Sequence, residues 1–584
     1  MNARARRWAA PAIALLALAS SLVGIANGFT YDDRYIVEMN PVMRDARAWG
    51  RLFASSYWPR DWGGDGYRPL TILAFKIEYV LGGGRAFVFH AVNIVLYVAV
   101  AVLVLLLTRR LLPEWAAWLA AALFAVHPVH VEAVANVVGQ SELLVAAALL
   151  GATVLYLRDR IAGELRPRTA AAVLALYAIA CFSKENGVVL PAMLGAAELL
   201  VIPNAAPWPE RIRRLRPFYL AMTLAAVAFV AVRARVLSDH GIGGFQPFTP
   251  FSTLHISAGD RVLTAFGVVP QWLRLLYWPV HLSSEYGPPD IEIAQGWSIM
   301  PVPGIALLVA ILALAVALRR RQPVITFGAA VVCVTLLPAS NFILPAGIVL
   351  AERTLLLPSV GAVLIAGELF VAGAAWARAR VGESRAWTRA AALAAGLLIA
   401  AGCVRSARRT TVWHDNDRLF RQAVIDSPDA YRAHYMLGAW DFENKRKRDG
   451  EAEYRKALNL FPYDPFLSYN MAEQYRTVGL CGPALPLYRW TFNLDPRFPL
   501  GHGAFAWCLL NEGQYVEARA RALDAIRVGA DLTGMRRVIF LADSASAADE
   551  RKASHAPAAF AGASGKVPGS MQKTPRTTHG SPNG

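Results

Sequence analysis

The sequence predicts an all-α, polytopic membrane protein with a helical repeat toward its C-terminal end. Three observations carry this. Of the 584 residues, 55% are hydrophobic and the mean hydropathy is +0.36, too apolar for a soluble chain of this length. Long apolar segments recur, separated by short Arg-rich stretches. After residue 404 the apolar runs stop and a regular spacing of prolines and aromatics begins.

Eleven spans are predicted, at about 9–28, 86–108, 114–128, 141–157, 169–183, 187–202, 217–235, 299–318, 323–339, 354–376 and 387–404. Several fall short of the ~20 residues that a full crossing needs. The first follows Arg4, Arg6 and Arg7. Gly24 and Ala26 would suit a signal-peptide cleavage site, but the many later spans favour an uncleaved first crossing. The net charge of +17 does not call for nucleic acid, because the arginines lie in runs between apolar segments. The clusters at Arg109/Arg110, Arg158–Arg168, Arg211–Arg216, Arg319–Arg321 and Arg378–Arg385 place the N-terminus in the cytoplasm; Arg233/Arg235 and Arg405/Arg408/Arg409 fall on the other side and argue against. Arg261–Pro279 and Pro69–Leu81 read as interfacial or re-entrant helices on the outer face, the first because of Arg274, the second because of Lys76 and Glu78.

This topology leaves outer segments 29–85, 236–298 and everything after 404. In the last, Pro428, Pro462 and Pro496 are spaced by 34 residues (462−428; 496−462), and Phe420, Tyr454 and Tyr488 keep the same interval. Chance prolines do not explain matching aromatics. A period of this length and composition is the tetratricopeptide signature, in which stacked helix pairs bury each other's apolar faces. The expected organisation is a membrane domain over 1–405, a short tetratricopeptide α-solenoid over 412–530, and a disordered tail over 544–584, rich in Ala, Ser, Gly, Lys and Pro. Of five cysteines, Cys181, Cys333 and Cys403 sit in or beside spans; Cys481 and Cys508 lie in the soluble segment after residue 404, where they could pair, and no metal spacing occurs.

The polar clusters beside spans gather on the outer face: Asp32-Asp33, Tyr67-Arg68-Pro69, His127-Pro128-Val129-His130-Val131-Glu132, Gln140-Ser141-Glu142, Lys184-Glu185, Ser284-Glu285-Tyr286 and Glu352-Arg353. Each alone has a bland explanation. His127 could cap a helix, Lys184-Glu185 could be a surface ion pair, and Arg353 could snorkel. Together they fit sugar transfer from a lipid phosphate. Cations stabilise the charge that grows on the departing phosphate, and a carboxylate takes the proton of the attacking hydroxyl.

These stretches, with Phe89-His90-Ala91-Val92-Asn93 and Pro338-Ala339-Ser340-Asn341, resemble the transmembrane and tetratricopeptide repeat-containing O-mannosyltransferases and their bacterial relatives, a branch of the GT-C superfamily. The resemblance covers about residues 30–361 and then the repeats. It implies a GT-C type fold, a polyprenyl-phosphate-mannose co-substrate, Ser/Thr acceptors on envelope or secreted proteins docked by the repeats, and an active site on the periplasmic face of a bacterial inner membrane. In that scheme Asp33, or Asp32 in its place, is the base. Arg353, Lys184, Arg68, His130 and His127 bind the donor, oriented by Glu132 and Glu352. No metal or other cofactor is firmly implied; an Asp pair can bind a divalent ion, but no further ligand set stands out. Two departures are visible: Glu285 stands where the family shows Asp, and Gln140 where it shows Arg. The competing readings are a non-catalytic membrane scaffold, which has no use for the Asp pair, and a flippase, which needs ionisable residues at the bilayer midplane.

Overall fold

The computed structural model describes residues 3–45, 47–59, 66–203, 206–239, 251, 254, 256–382, 384–496, 498, 500–529 and 531–554. Among them every regular element is helical. Among the described residues, six helices are long and apolar enough to cross a membrane: Arg6–Ala26, Ala86–Leu111, Val137–Ile161, Trp208–Ser238, Pro358–Arg380 and Arg385–His414. They mark an integral membrane protein. A seventh candidate is a bent pair, Glu114–Ala125 and Pro128–Ala135, which turns by 46° at a proline that can neither donate to the preceding turn nor fit beside it. The apolar helices Pro167–Ser183, Val302–Leu318 and Pro323–Ala339 are shorter. Each of the eleven segments read as a span contains a helix, but length and composition support fewer full crossings.

Small residues let these helices meet closely. A Cβ on Gly361 would lie 2.3 Å from the Gly328 carbonyl oxygen, so helix Pro358–Val381 packs backbone to backbone on helix Pro323–Leu336. The Ala-rich helix Glu114–Ala125 is buried in the main apolar core for the same reason.

The outer segment after the first span is tied down by a buried cation. Lys76, on helix Pro69–Gly82, donates to the carbonyls of Val42, Met43 and Asp45 at 3.0, 2.7 and 2.8 Å. Glu78 on the same helix accepts from Gln140 Nε2 at 2.5 Å. Gln140 is therefore buried against Glu78. Helix Ala258–Tyr277 is capped by Ser257, whose hydroxyl accepts from the Asp260 N–H at 3.1 Å.

The chain divides into two compact units, and the division falls inside the repeat rather than at residue 405. The first comprises Met1–Met471 and Trp490–Pro496. It includes helices Asn416–Asp426, Tyr431–Glu443 and Lys447–Leu460. A Cβ on Gly438 would come within 3.1 Å of the Gly450 carbonyl oxygen, so the absence of side chains there sets how closely the last two pack. The second unit comprises Ala472–Arg489 and Arg497–Gly584. A Cys481–Cys508 disulfide closes it internally, and the Tyr488 and Phe505 rings stack at 5.5 Å. Helix starts keep the 34-residue interval, Tyr431 to Pro465 and Lys447 to Cys481 to Tyr515. Helix Leu532–Ser554 runs ten residues past Ser544, where composition predicted disorder. Its Ala, Glu, Arg and Lys content favours helix despite low hydropathy. Residues 555–584 of the expected tail lie outside the described residues.

Candidate active site

The Asp pair follows directly on the first span, and its two members face different surroundings. Asp33 is fully buried. Its carboxylate accepts three main-chain N–H groups: Thr30 at 3.2 Å, Val137 at 3.1 Å and Val138 at 2.9 Å. Burial pushes Asp33 up to about 8, against the pull of those three bonds. Both oxygens are already engaged, so Asp33 fastens the loop to the segment before helix Gln140–Ile161. The preferred assignment of Asp33 as the base does not fit this geometry.

Asp32 is half-buried, and its carboxylate makes no hydrogen bond with the described residues. Burial raises it to about 6, while the Arg353 and Arg432 guanidinium groups hold it down and Glu285 and Glu132 push it up. Two backbone features set its aim. Tyr31 has φ +53°, a strained left-handed conformation for a bulky residue. Arg34–Glu38 then winds as a π-helix, a form that recurs at functional sites.

Arg353 lies on the short turn Glu352–Leu355. Its main-chain N–H donates to Glu132 Oε2 at 2.9 Å, and its Nη1 donates to Glu132 Oε1. The other guanidinium nitrogens make no hydrogen bond with the described residues, and the Asp32 charge is among those that stabilise the guanidinium. The neighbouring Glu352 points elsewhere. It is buried, accepts from the Ser283 N–H at 2.7 Å and the Tyr286 hydroxyl at 2.6 Å, and is raised to about 8 by burial. Glu352 therefore anchors the 283–286 loop and does not orient Arg353.

A second group borders the first. Lys184 donates to Glu142, and burial lowers its pKa, with Arg68 and Arg353 adding repulsion. Arg68 Nε donates to Glu185 Oε2 at 3.0 Å, and its guanidinium sits 4.4 Å over the Tyr57 ring. Glu185 is held down at about 2, the charges of Arg68, Lys184 and Arg233 outweighing its burial. Arg233 is one of the exceptions to the charge rule for orientation, and it faces a carboxylate of the site. Arg409, from the other exceptional cluster, pairs with Asp426.

The two histidines, expected to bind the donor, are instead engaged within the protein. His127 Nδ1 accepts the Val129 N–H at 3.3 Å, and Nε2 lies 3.0 Å from the Leu276 carbonyl oxygen, so it caps the turn at Pro128. His130 is buried between the Tyr97 hydroxyl at 3.0 Å and Ser359 Oγ at 2.8 Å. Both rings have both nitrogens engaged. Spacing on a motif beside a span could not reveal that these rings turn inward.

Sequence reasoning missed Arg432. From helix Tyr431–Glu443, its Nε lies 3.2 Å from Glu285 Oε2 and its Nη2 3.5 Å from the Tyr31 hydroxyl. The Tyr31 hydroxyl donates to Glu285 Oε1 at 2.5 Å. The repeat offers no signal for it, since Phe466 stands one period later. Among the described residues no three His, Cys, Asp or Glu side chains form a group that could hold a metal ion. Among the described residues, the site brings together a carboxylate without a hydrogen bond, Asp32, and the charges of Arg353 and Arg432 that hold it down, with Lys184 and Arg68 acting on the same group of charges.

No family model matches the chain. It is 28% identical over 529 residues to Protein O-mannosyl-transferase Tmtc1 of Drosophila melanogaster, covering 74% of this chain and 59% of that protein. It is 26% identical over 477 residues to human Protein O-mannosyl-transferase TMTC4, covering 74% and 63%. The chain thus spans less than two thirds of these relatives' own length. A crystal structure of the Archaeoglobus fulgidus oligosaccharyltransferase tethered with an acceptor peptide superposes with a TM-score of 0.41 and 14% identity, covering 79% of this chain and 60% of that one. The family resemblance read from the motifs is borne out by the curated relatives.

Proposed function

We propose that the chain is a membrane glycosyltransferase that moves a sugar, mannose by analogy with the names of its relatives, from a polyprenyl-phosphate donor to Ser or Thr hydroxyls of envelope proteins. The observation that carries this reading is Asp32: a half-buried carboxylate with no hydrogen-bond partner among the described residues, held down by the charges of two guanidinium groups, a few residues past a membrane helix. Asp32 takes the proton of the acceptor hydroxyl as that oxygen attacks the anomeric carbon. The bond to the phosphate oxygen breaks on the opposite face, so the configuration inverts. Arg353 offers its unengaged N–H groups to the departing phosphate, and Lys184 and Arg68 add charge close by. Glu132 keeps the Arg353 fork in place.

The reading puts the site and the repeats on the periplasmic side of a bacterial inner membrane. The Cys481–Cys508 disulfide supports that side, since such bonds persist in oxidising compartments. The purified protein, incubated with radiolabelled polyprenyl-phosphate mannose and envelope proteins, is expected to transfer label to a Ser or Thr. Wild-type protein that releases no lipid phosphate and labels no acceptor overturns the reading and leaves the scaffold alternative.

A further inference from the structure

The residue before Asp32 is strained, and three side chains distant in sequence hold it. Tyr31 at φ +53° needs over-determination by its surroundings to persist. Asn416 Oδ1 accepts the Tyr31 N–H at 2.8 Å. Glu285 Oε1 accepts the Tyr31 hydroxyl at 2.5 Å, and the Arg432 guanidinium bonds both Glu285 Oε2 and the Tyr31 hydroxyl, at 3.2 and 3.5 Å. Asn416 and Arg432 belong to the first two helices after the last span. A second grip lies two residues beyond Asp32. Arg34 forms a two-pronged bond with Glu443 at 3.0 and 2.8 Å, and its guanidinium lies 5.4 Å over the Trp440 ring.

We infer that Arg432 is a positioning residue for Asp32: through Glu285 and the Tyr31 hydroxyl, the start of the repeat segment fixes the direction in which the Asp32 carboxylate points. The inference rests on the proposed sugar transfer only for its kinetic arm. The repeat segment is then part of the catalytic centre as well as an acceptor-docking element. Chemically, the arrangement is a relay of one cation, one carboxylate and one phenol onto a single strained residue. The charged and titratable groups facing Asp32 are Arg353 and Glu132 from the membrane domain, Glu285 and Arg432, and Tyr31 and Tyr35 on its own segment. Tyr57 and Asp33 complete the set. The charges of Arg353 and Arg432 hold Asp32 down, so losing Arg432 removes charge as well as aim.

The 584-residue chain in detergent serves for the test, with Arg432→Ala, Arg432→Lys, Tyr31→Phe and the Arg432→Ala/Tyr31→Phe double variant. The first readout needs no activity. Carbodiimide labels protonated buried carboxyls, and peptide mass spectrometry gives the pH midpoint of Asp32 labelling. In Arg432→Ala the midpoint should rise by about one pH unit, the lower end of what an adjacent opposite charge does. Arg432→Lys should restore most of that rise. The second readout is transfer from polyprenyl-phosphate mannose to a Ser/Thr peptide. Arg432→Ala should lose about 10–100-fold in kcat, as misplaced reacting groups do, with donor KM unchanged. The double variant should lose no more than the worse single one, because both act through one link. A labelling midpoint that stays put in folded Arg432→Ala and Arg432→Lys, or losses that multiply in the double variant, overturns the inference. A shifted midpoint in a protein that transfers no sugar supports the positioning role and sinks the sugar-transfer reading instead.

Discussion

Glu132 is bound twice by a single residue: the Arg353 main-chain N–H reaches Oε2 at 2.9 Å while the Arg353 guanidinium reaches Oε1. The carboxylate is buried and the guanidinium partly open, so the pair presents one protected charge and one offered charge. Removing either partner alone strands the other. Arg353→Ala leaves Glu132 only the main-chain N–H and no opposing charge, and is expected to destabilise the protein by about 3 kcal/mol, the lower end of the cost of breaking a buried ion pair. Arg353→Lys keeps the main-chain bond and the charge but loses the fork, so it should fold normally and transfer roughly tenfold more slowly, about the worth of one charge-assisted hydrogen bond. Equal turnover by folded Arg353→Lys and wild type would place the phosphate site elsewhere.

The two aspartates should separate cleanly. Asp32→Asn removes the base and should lower transfer about 10²–10⁴-fold while leaving the folded fraction and donor binding intact. Asp33→Asn fixes an NH2 group against main-chain N–H groups that the ionised carboxylate accepts with both oxygens, so above about pH 8, where Asp33 is charged, it should cost about 1–3 kcal/mol of stability. Transfer per folded molecule, measured beside thermal unfolding, distinguishes them. Asp33→Asn that is stable but inactive, with active Asp32→Asn, would reverse the assignment.

The pH profile follows from Asp32 at about 6. A base works when deprotonated, so kcat/KM should fall as pH drops through about 6, with a slope of one proton. Asp32→Asn should flatten that limb. An unchanged acid limb in Asp32→Asn would assign it to another group.

Glu352, raised to about 8, is largely uncharged at neutral pH. Its folded pKa lies above its unfolded value near 4.5, so its contribution to stability is full below about 4.5 and is lost as pH rises through about 8. Glu352→Gln should therefore fold and transfer normally at pH 7 and lose part of the decline in stability toward pH 8. Glu352→Ala should destabilise, since the Ser283 N–H and Tyr286 hydroxyl lose their acceptor. Thermal unfolding across that pH range checks both.

Cys481 and Cys508 should resist alkylation until a reductant is added, and Cys481→Ser should lower stability by about 2–4 kcal/mol. Alkylation of both in the unreduced protein isolated from cells would remove the argument for a periplasmic location. An active alkaline phosphatase fusion after residue 430 is expected on the same grounds.

Hydropathy and charge alone locate the apolar helices, because burial in lipid demands continuous apolar side chains and internally satisfied backbone. The 34-residue spacing of Pro428, Pro462 and Pro496 is matched by the same interval between helix starts, Tyr431 to Pro465 and Lys447 to Cys481 to Tyr515. The motif positions also bring Asp32, Arg353, Glu132, Lys184, Glu142, Arg68 and Glu185 to notice, because charges beside spans need partners.

Which of those charges is free and which is spent was decided only by the fold. Asp32 and Asp33 are identical and adjacent, so no local pattern distinguishes them; the positive φ at Tyr31 and the N–H groups of Val137 and Val138, more than a hundred residues away, turn one carboxylate inward and leave the other open. His127 and His130 looked like ligands until packing engaged both nitrogens of each ring. Arg432 has no repeat counterpart, and its partner Glu285 is 147 residues distant, so only the packing of the first repeat helices on the outer loops joins them. The sequence by itself determined where helices and charges lie, because solvent and lipid act on each residue locally; the tertiary structure decided which charges neutralise each other, because pairing depends on distances that chain order does not contain.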